Sequence, residues 1–284
     1  METYTFQTSS GLQLDADYYP ALENRKETAV LYFHGGGLMY GMRQDLPALY
    51  RQMFTDAGYD FLAFDYPLAP ESSLADIHSA AEECVRWFLN DFKAAHSGAP
   101  SRYLLFGRSA GAYLVLLLPN RLRAAGLPAP ERLVCFYGYC RFDEPEFNRP
   151  SPFYQRYPQI DPDTVRQRVG SAPVTSGPIE KRFSLYVCAR QTGNWPLWLA
   201  AEESERARYS LTDRELALLP PAFLTASSSD GDVPFRLSKQ MARLIPGSLF
   251  HPVYYLEHDF DRDTGKKEGR EAYQRCIRWL EDGD

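Results

Sequence analysis

The sequence predicts an α/β protein: a mostly parallel central sheet, helices on both faces and a helical cap inserted past its midpoint. Three observations carry that expectation. Short, continuously apolar runs recur with helical patterns between them, as in parallel strands covered on both faces. The alternation stops once, from Tyr139 to about Pro220, in an aromatic-rich stretch with helix starts but no convincing strand. And Phe106-Gly107-Arg108-Ser109-Ala110-Gly111-Ala112 joins a strand to a long apolar helix through Gly-x-Ser-x-Gly. Residues 1–138 and 221–284 are therefore assigned to the core and 139–220 to the cap.

In chain order, Tyr4 to Tyr19 alternates and turns at Ser9-Ser10-Gly11, predicting an antiparallel hairpin. Thr28 to Phe33 is an apolar strand ending in His34-Gly35-Gly36-Gly37, where bare backbone leaves N–H groups open to a ligand or makes a flexible loop. Asp45 to Ala57 reads as a helix closed by Gly58. Phe61 to Phe64 is a strand leading into the proline-stiffened Asp65-Tyr66-Pro67-Leu68-Ala69-Pro70-Glu71, with Asp65 expected to anchor that loop. Ser72 or Ser73 caps a helix with Ile77, Ala80, Ala81, Cys84, Val85, Phe88 and Leu89 at helical spacing. His78 and His96 are expected at its surface or end.

Tyr103 to Phe106 is too short for a helix and reads as a buried strand. The helix from Ser109 onward breaks at Leu127-Pro128-Ala129-Pro130, and Leu133 to Gly138 is the next strand. Within 139–220, helices are expected after Asp161-Pro162, after Ser176-Gly177-Pro178 (stopped by Gly193), and after the capping box Thr212-Asp213-Arg214-Glu215. Of the aromatics there, including Phe153, Tyr154, Phe183, Tyr186, Trp195 and Trp198, some are expected to line a pocket and others to pack among themselves. The sheet resumes at Ala222 to Ser227. A helix from Pro234 to Ile245, a last strand from His251 to Leu256 and a helix from about Lys266 to Leu280 follow.

Composition narrows the partners. A net charge of −6, with 31 basic against 37 acidic residues and no basic cluster, argues against nucleic acid. The first residues carry no leader pattern and no apolar run approaches a membrane span, so a cytoplasmic protein is expected. The five cysteines, Cys84, Cys135, Cys140, Cys188 and Cys276, lack metal-ligand spacing and read as reduced, mostly buried thiols. No metal and no cofactor are expected, and self-association is left open.

Beyond the carboxyl ends of a parallel sheet, polar chemistry gathers. Four loops qualify: His34-Gly35-Gly36-Gly37, Ser109, Asp230 and His258. A serine hydroxyl is a weak nucleophile without a base. Histidine, with an unperturbed pKa of about 6.5, is the side chain suited to take its proton, and an aspartate holds the imidazole in the correct tautomer. His251, seven residues before His258, is expected to start the last strand; a rise of about 3.3 Å per residue sets the two roughly 23 Å apart, so only His258 reaches the carboxyl end. Asp230 is favoured as the acid because it comes first past its strand. Asp232, just before Val233-Pro234, reads as a helix N-cap, although it stays the alternative.

With these residues the chain resembles the hormone-sensitive-lipase-like esterase branch of the α/β-hydrolases. The resemblance rests on His34-Gly35-Gly36-Gly37, Asp65 to Glu71, Gly107-Arg108-Ser109-Ala110-Gly111 and the Asp230 and His258 loops, and covers most of the chain. It implies an α/β-hydrolase fold and an oxyanion hole built from the N–H groups of Gly36, Gly37 and Ala110. The implied activity is hydrolysis of small uncharged carboxylic esters through an acyl-serine intermediate. Two departures stand out: hardly any residues precede the first strands to build a cap, and the acid loop lacks the common Asp-Pro-Leu form. A serine peptidase of related fold and a hydrolase-like binding protein for a small ligand are the alternatives.

Overall fold

Among the described residues eight strands form one sheet in the order β1-β2-β4-β3-β5-β6-β7-β8. They are β1 (Glu2–Gln7), β2 (Gln13–Tyr19), β3 (Thr28–Phe33), β4 (Asp60–Phe64), β5 (Arg102–Arg108), β6 (Leu133–Phe136), β7 (Ala222–Ser227) and β8 (Leu249–Val253). The computed structural model describes residues 1–282. The β1–β2 hairpin is antiparallel and β2 joins β4 antiparallel; every pairing from β4 to β8 is parallel. β3, β4, β6 and β7 are buried along their whole length, which is why they read as unbroken apolar runs.

Among the described residues eleven α-helices accompany the sheet: α1 (Ala48–Asp56), α2 (Leu74–Trp87), α3 (Lys93–Ala95), α4 (Ala110–Ala124), α5 (Pro162–Arg166), α6 (Ile179–Thr192), α7 (Trp195–Leu199), α8 (Glu203–Arg208), α9 (Asp213–Leu216), α10 (Phe235–Leu244) and α11 (Lys267–Asp282). α1 and α11 cover one face, with Tyr50 stacked on Tyr273 at 4.0 Å in a core that includes Phe54, Phe106 and Trp279. α2, α4 and α10 cover the other, in a core continuous with the interior of residues 139–220. Among the described residues no helix is long and apolar enough to cross a membrane. All five cysteines are buried and unpaired.

Local signals set most helix starts. Ser73 accepts from the Asp76 N–H while Asp76 reaches back to the Ser73 N–H, closing a capping box on α2. Asp161 caps α5 and Thr212 closes a second capping box on α9. α6 stops at Gly193, whose φ of +71° is the left-handed conformation that glycine adopts without penalty.

Three expectations shift. α1 starts at Ala48 rather than Asp45, because Pro47 bars the helical conformation from the residue before it. β8 runs from Leu249 to Val253, so His251 sits at mid-strand opposite Thr225 and the chain turns away before Tyr254. His78 is not at the surface: it is fully buried between α2 and α4, its Nε2 2.8 Å from the Tyr113 hydroxyl and its ring stacked on Tyr209. Burial, with Arg121 nearby, pushes its pKa down to about 3, so the ring is neutral.

Candidate active site

Gly-x-Ser-x-Gly turns the chain between β5 and α4. Ser109 has φ +51° and ψ −116°, a left-handed backbone that an L-residue adopts only under constraint. The constraint is close packing. A Cβ on Gly107 would run into the Gly111 backbone, and one on Gly111 would strike the Phe33 carbonyl at the end of β3. The Ser109 N–H donates to the Phe136 carbonyl at 2.9 Å, pinning the turn to β6. The side chain is left at the carboxyl edge of the sheet, and the residue is 5% exposed.

His258 and Asp230 reach it from the loops after β8 and β7. His258 Nε2 lies 2.9 Å from Ser109 Oγ, and His258 Nδ1 lies 2.6 Å from Asp230 Oδ2. The other oxygen of Asp230 accepts the Asp232 and Val233 N–H groups at 2.8 and 2.9 Å, which fixes the carboxylate from behind. Burial disfavours the imidazolium, but Asp230 at hydrogen-bond distance outweighs it, with Asp232 and Asp259 adding to the same effect. Together they push the pKa of His258 up to about 10. His251 is not part of the arrangement; its ring stacks on Phe223.

The glycine loop lies alongside. A Cβ on Gly35 would stand 3.3 Å from Ser109 Cβ. Gly36 and Gly37 have φ of +105° and +60°, and side chains there would meet the Tyr40 carbonyl and the Tyr186 ring. Among the described residues, none accepts a hydrogen bond from the backbone N–H of Gly36, Gly37 or Ala110. The loop is braced by the Tyr66 hydroxyl, which donates to the His34 carbonyl at 2.9 Å, and by the Trp195 indole, which donates to the Gly37 carbonyl at 3.0 Å. Asp65 accepts from the Arg43 N–H at 2.8 Å and pairs with its guanidinium, so it anchors the chain just past the glycines more than its own loop.

Behind the turn lies a sealed network absent from the sequence-based expectations. Arg108, the first variable residue of the motif, donates to the Tyr137 hydroxyl at 2.6 Å and to Asp261 at 2.9 Å. Tyr137 and Tyr273 also donate to Asp261, both at 2.7 Å. Tyr137 in turn packs its ring against His258, 4.6 Å between centroids. The one available hint was a charged side chain at Arg108, a position flanked by buried strand, which demands a buried counter-charge.

A pocket of about 570 Å³ opens over His258, walled by Tyr40, Phe153, Tyr154, Tyr157, Phe183 and Tyr255 among others. Of the aromatics from which pocket-lining residues were expected, Phe153, Tyr154 and Phe183 line it. Trp195 instead packs against Tyr139, Phe142 and Phe147, and Trp198 faces a separate surface depression beside Pro70 and Arg166. Asp232 does not cap α10, which starts after Pro234 with no side-chain cap. Its carboxylate turns inward to the hydroxyls of Tyr154 and Tyr186 and to Arg190, and lies 3.9 Å from His258 Nε2. Among the described residues no cluster of His, Cys, Asp or Glu could hold a metal ion.

Comparison with known proteins agrees with this architecture. The chain is 33% identical over 167 residues to a non-reducing polyketide synthase of Penicillium brevicompactum, a match covering 55% of this chain but 8% of that one. It thus spans a small fraction of the curated relatives it matches. Two solved structures match nearly end to end, each at 99% coverage of both chains. One is a protein of unknown function from Staphylococcus aureus (29% identity, TM-score 0.87), the other an alpha/beta hydrolase superfamily protein from Enterococcus faecalis (33% identity, TM-score 0.83). The alpha/beta hydrolase fold profile matches residues 30–231, and the chain belongs to the α/β-hydrolase family.

Proposed function

We propose that this protein is a carboxylesterase-like serine hydrolase that cleaves small uncharged carboxylic esters with an apolar or aromatic part. The observation that carries the reading is the unbroken hydrogen-bond chain Ser109 Oγ–His258 Nε2 at 2.9 Å and His258 Nδ1–Asp230 Oδ2 at 2.6 Å. In the first half-reaction Ser109 Oγ attacks the ester carbonyl carbon as its proton passes to His258 Nε2. The N–H groups of Gly36, Gly37 and Ala110 receive the negative charge that develops on the carbonyl oxygen, at the positive end of α4. His258 then returns the proton to the departing alkoxide, leaving an acyl-serine. In the second half, water attacks that acyl group, giving up a proton to His258 and releasing the acid as Ser109 regains its hydrogen.

Residues 139–220 serve as the cap in this reading. Arg182 ties them to the core: it forms a two-point pair with Glu71 at 2.9 and 2.6 Å and donates to the carbonyls of Met39 and Ala69. A pocket of about 570 Å³, lined by aromatic side chains together with charged ones such as Glu257, Asp259, Arg262 and Lys266, suits a ligand of limited length. Five buried thiols suit a reducing, cytoplasmic setting.

Fluorophosphonate labelling followed by peptide mapping tests the nucleophile: modification at Ser109 supports the reading, and an unlabelled Ser109 in folded protein overturns it. A series of p-nitrophenyl esters from acetate to palmitate tests the substrate class. Binding should improve by up to about 0.8 kcal/mol per buried methylene until the pocket is filled. kcat/KM should therefore peak at short to medium acyl chains. A steady rise to palmitate would mean an open, lipase-like groove.

A further inference from the structure

The carboxylate two residues after Asp230 has a position that neither its expected capping role nor the reaction above explains. Asp232 is buried, 4% exposed, and borders the pocket over His258. Tyr154 donates to its Oδ2 at 3.0 Å, Tyr186 reaches Oδ1 at 2.9 Å and Oδ2 at 3.0 Å, and Arg190 stands 3.3 Å from Oδ1. Arg190 also donates to the Asp232 main-chain carbonyl at 3.0 Å. All three donors come from residues 139–220, whereas Asp232 belongs to the loop that carries Asp230. Arg190 is itself 1% exposed, its Nε and Nη1 find no partner among the described residues, and the faces of Phe147, Tyr154, Tyr186 and Trp195 surround it. A guanidinium buried at this cost is held by the aromatic faces and by one carboxylate.

We propose that Asp232 is a positioning residue through which residues 139–220 set how strongly His258 holds its proton. The inference rests on the reading of His258 as the general base. Asp232 lies 3.9 Å from Nε2, the nitrogen that carries the proton between Ser109 and the leaving group. A free carboxylate there would draw that proton toward itself and away from Ser109. Three donors spread and partly neutralise its charge, so it stabilises the imidazolium without capturing it.

The other groups around His258 leave this role open. Asp230 occupies Nδ1, and Asp259, of the same loop as His258, faces Arg108 at 3.9 Å. Tyr137 offers His258 its ring while its hydroxyl is spent on Asp261, and Tyr40 and Arg262 only border the pocket.

The two halves of the device predict shifts of opposite sign. Asp232→Asn removes the charge beside Nε2 and should lower the titration midpoint of His258 by about 1 unit. Tyr186→Phe keeps the charge but strips a donor from it, making it more strongly felt, and should raise the midpoint; Tyr154→Phe should do the same and stands in if Tyr186→Phe does not fold. The measurement is an NMR titration of the His258 imidazole in each folded variant, beside the pH profile of kcat/KM. A merely structural strut would lower Tm in all variants without moving the midpoint in opposite directions. An unchanged midpoint in Asp232→Asn, or a downward shift in both tyrosine variants, overturns the proposal. Because the titration needs no turnover, it stays decisive even if Ser109 fails to label, a result that would sink the hydrolase reading instead.

Discussion

Two hydrogen-bonded networks, each centred on a buried aspartate carboxylate, meet at the turn that carries Ser109 and differ in access to solvent. In front, His258 borders the pocket with its side chain 13% exposed, while the Asp230 side chain is buried behind it; in the proposed reaction the proton on that imidazole can pass to a molecule outside the protein. Behind, Arg108, Asp261, Tyr137 and Tyr273 are sealed, and both carboxylate oxygens of Asp261 are taken by neighbours. Equal hydrogen bonding therefore supports different work. The rear network holds fixed charge where nothing can exchange it, and so sets backbone geometry, while the front one can gain and lose a proton.

If that division is right, Ser109→Ala should give the largest effect on rate. Ester turnover should fall by about 10⁴-fold or more while Tm stays near wild type, since only a small hydroxyl is removed. A variant that kept more than a few per cent of the wild-type rate would remove Ser109 as nucleophile. His258→Ala should match it.

Asp230→Asn should come next, with kcat/KM down by roughly 10³–10⁴-fold as the imidazole loses its orienting partner. It also carries a pH signature. The pKa of His258 is raised above 6.5 in the folded protein, so wild-type kcat/KM should climb with pH on the alkaline side of 6.5, where neutral imidazole forms. A raised folded-state pKa stabilises the protein fully below about 6.5 and progressively less as pH rises toward the folded value. The Tm gap between wild type and Asp230→Asn should thus be widest near pH 6 and narrow toward pH 10. A gap that widened with pH would break the assignment of the pair.

The rear network should answer in stability. Asp261→Ala takes from buried Arg108 its hydrogen-bonded counter-charge and leaves only Asp259 at 3.9 Å, and chemical denaturation should show a loss of about 3–5 kcal/mol. Its kcat per folded molecule should fall far less than that of Asp230→Asn. If the reverse held, the two networks would not be separable. The smallest effect belongs to His251→Ala, on the mid-strand of β8. It should leave kcat/KM within about twofold and change stability by roughly 1 kcal/mol or less, as expected away from core cavities and buried pairs.

What the amino-acid sequence alone determined follows from chain neighbours. Period and apolarity located β3 to β7 and the long helices α2 and α4, because burial on both faces writes an unbroken apolar run into a strand; the short α7 and α8 left no such pattern. The pair Ser72 and Ser73, of which Ser73 is the cap, together with Asp161 and Thr212 marked helix starts for an equally local reason: a cap bonds to an N–H three residues on. Gly107 and Gly111 announced the strained turn at Ser109, since only glycine fits where β3, β5 and α4 crowd together. The tertiary structure decided the rest. Arg108 and Asp261 lie 153 residues apart, and nothing local in either foretells the other. Asp232 looked like a cap because its neighbours are Val233 and Pro234, yet donors from 42 to 78 residues away drew it inward. His78 looked peripheral on its own helix and was buried only when Tyr113 and Tyr209 closed over it. Apolar burial is non-directional and accumulates along a segment, so it leaves a pattern in the chain. A buried polar side chain is settled by the one partner that folding brings within about 3 Å, and that distance exists only after the chain has folded.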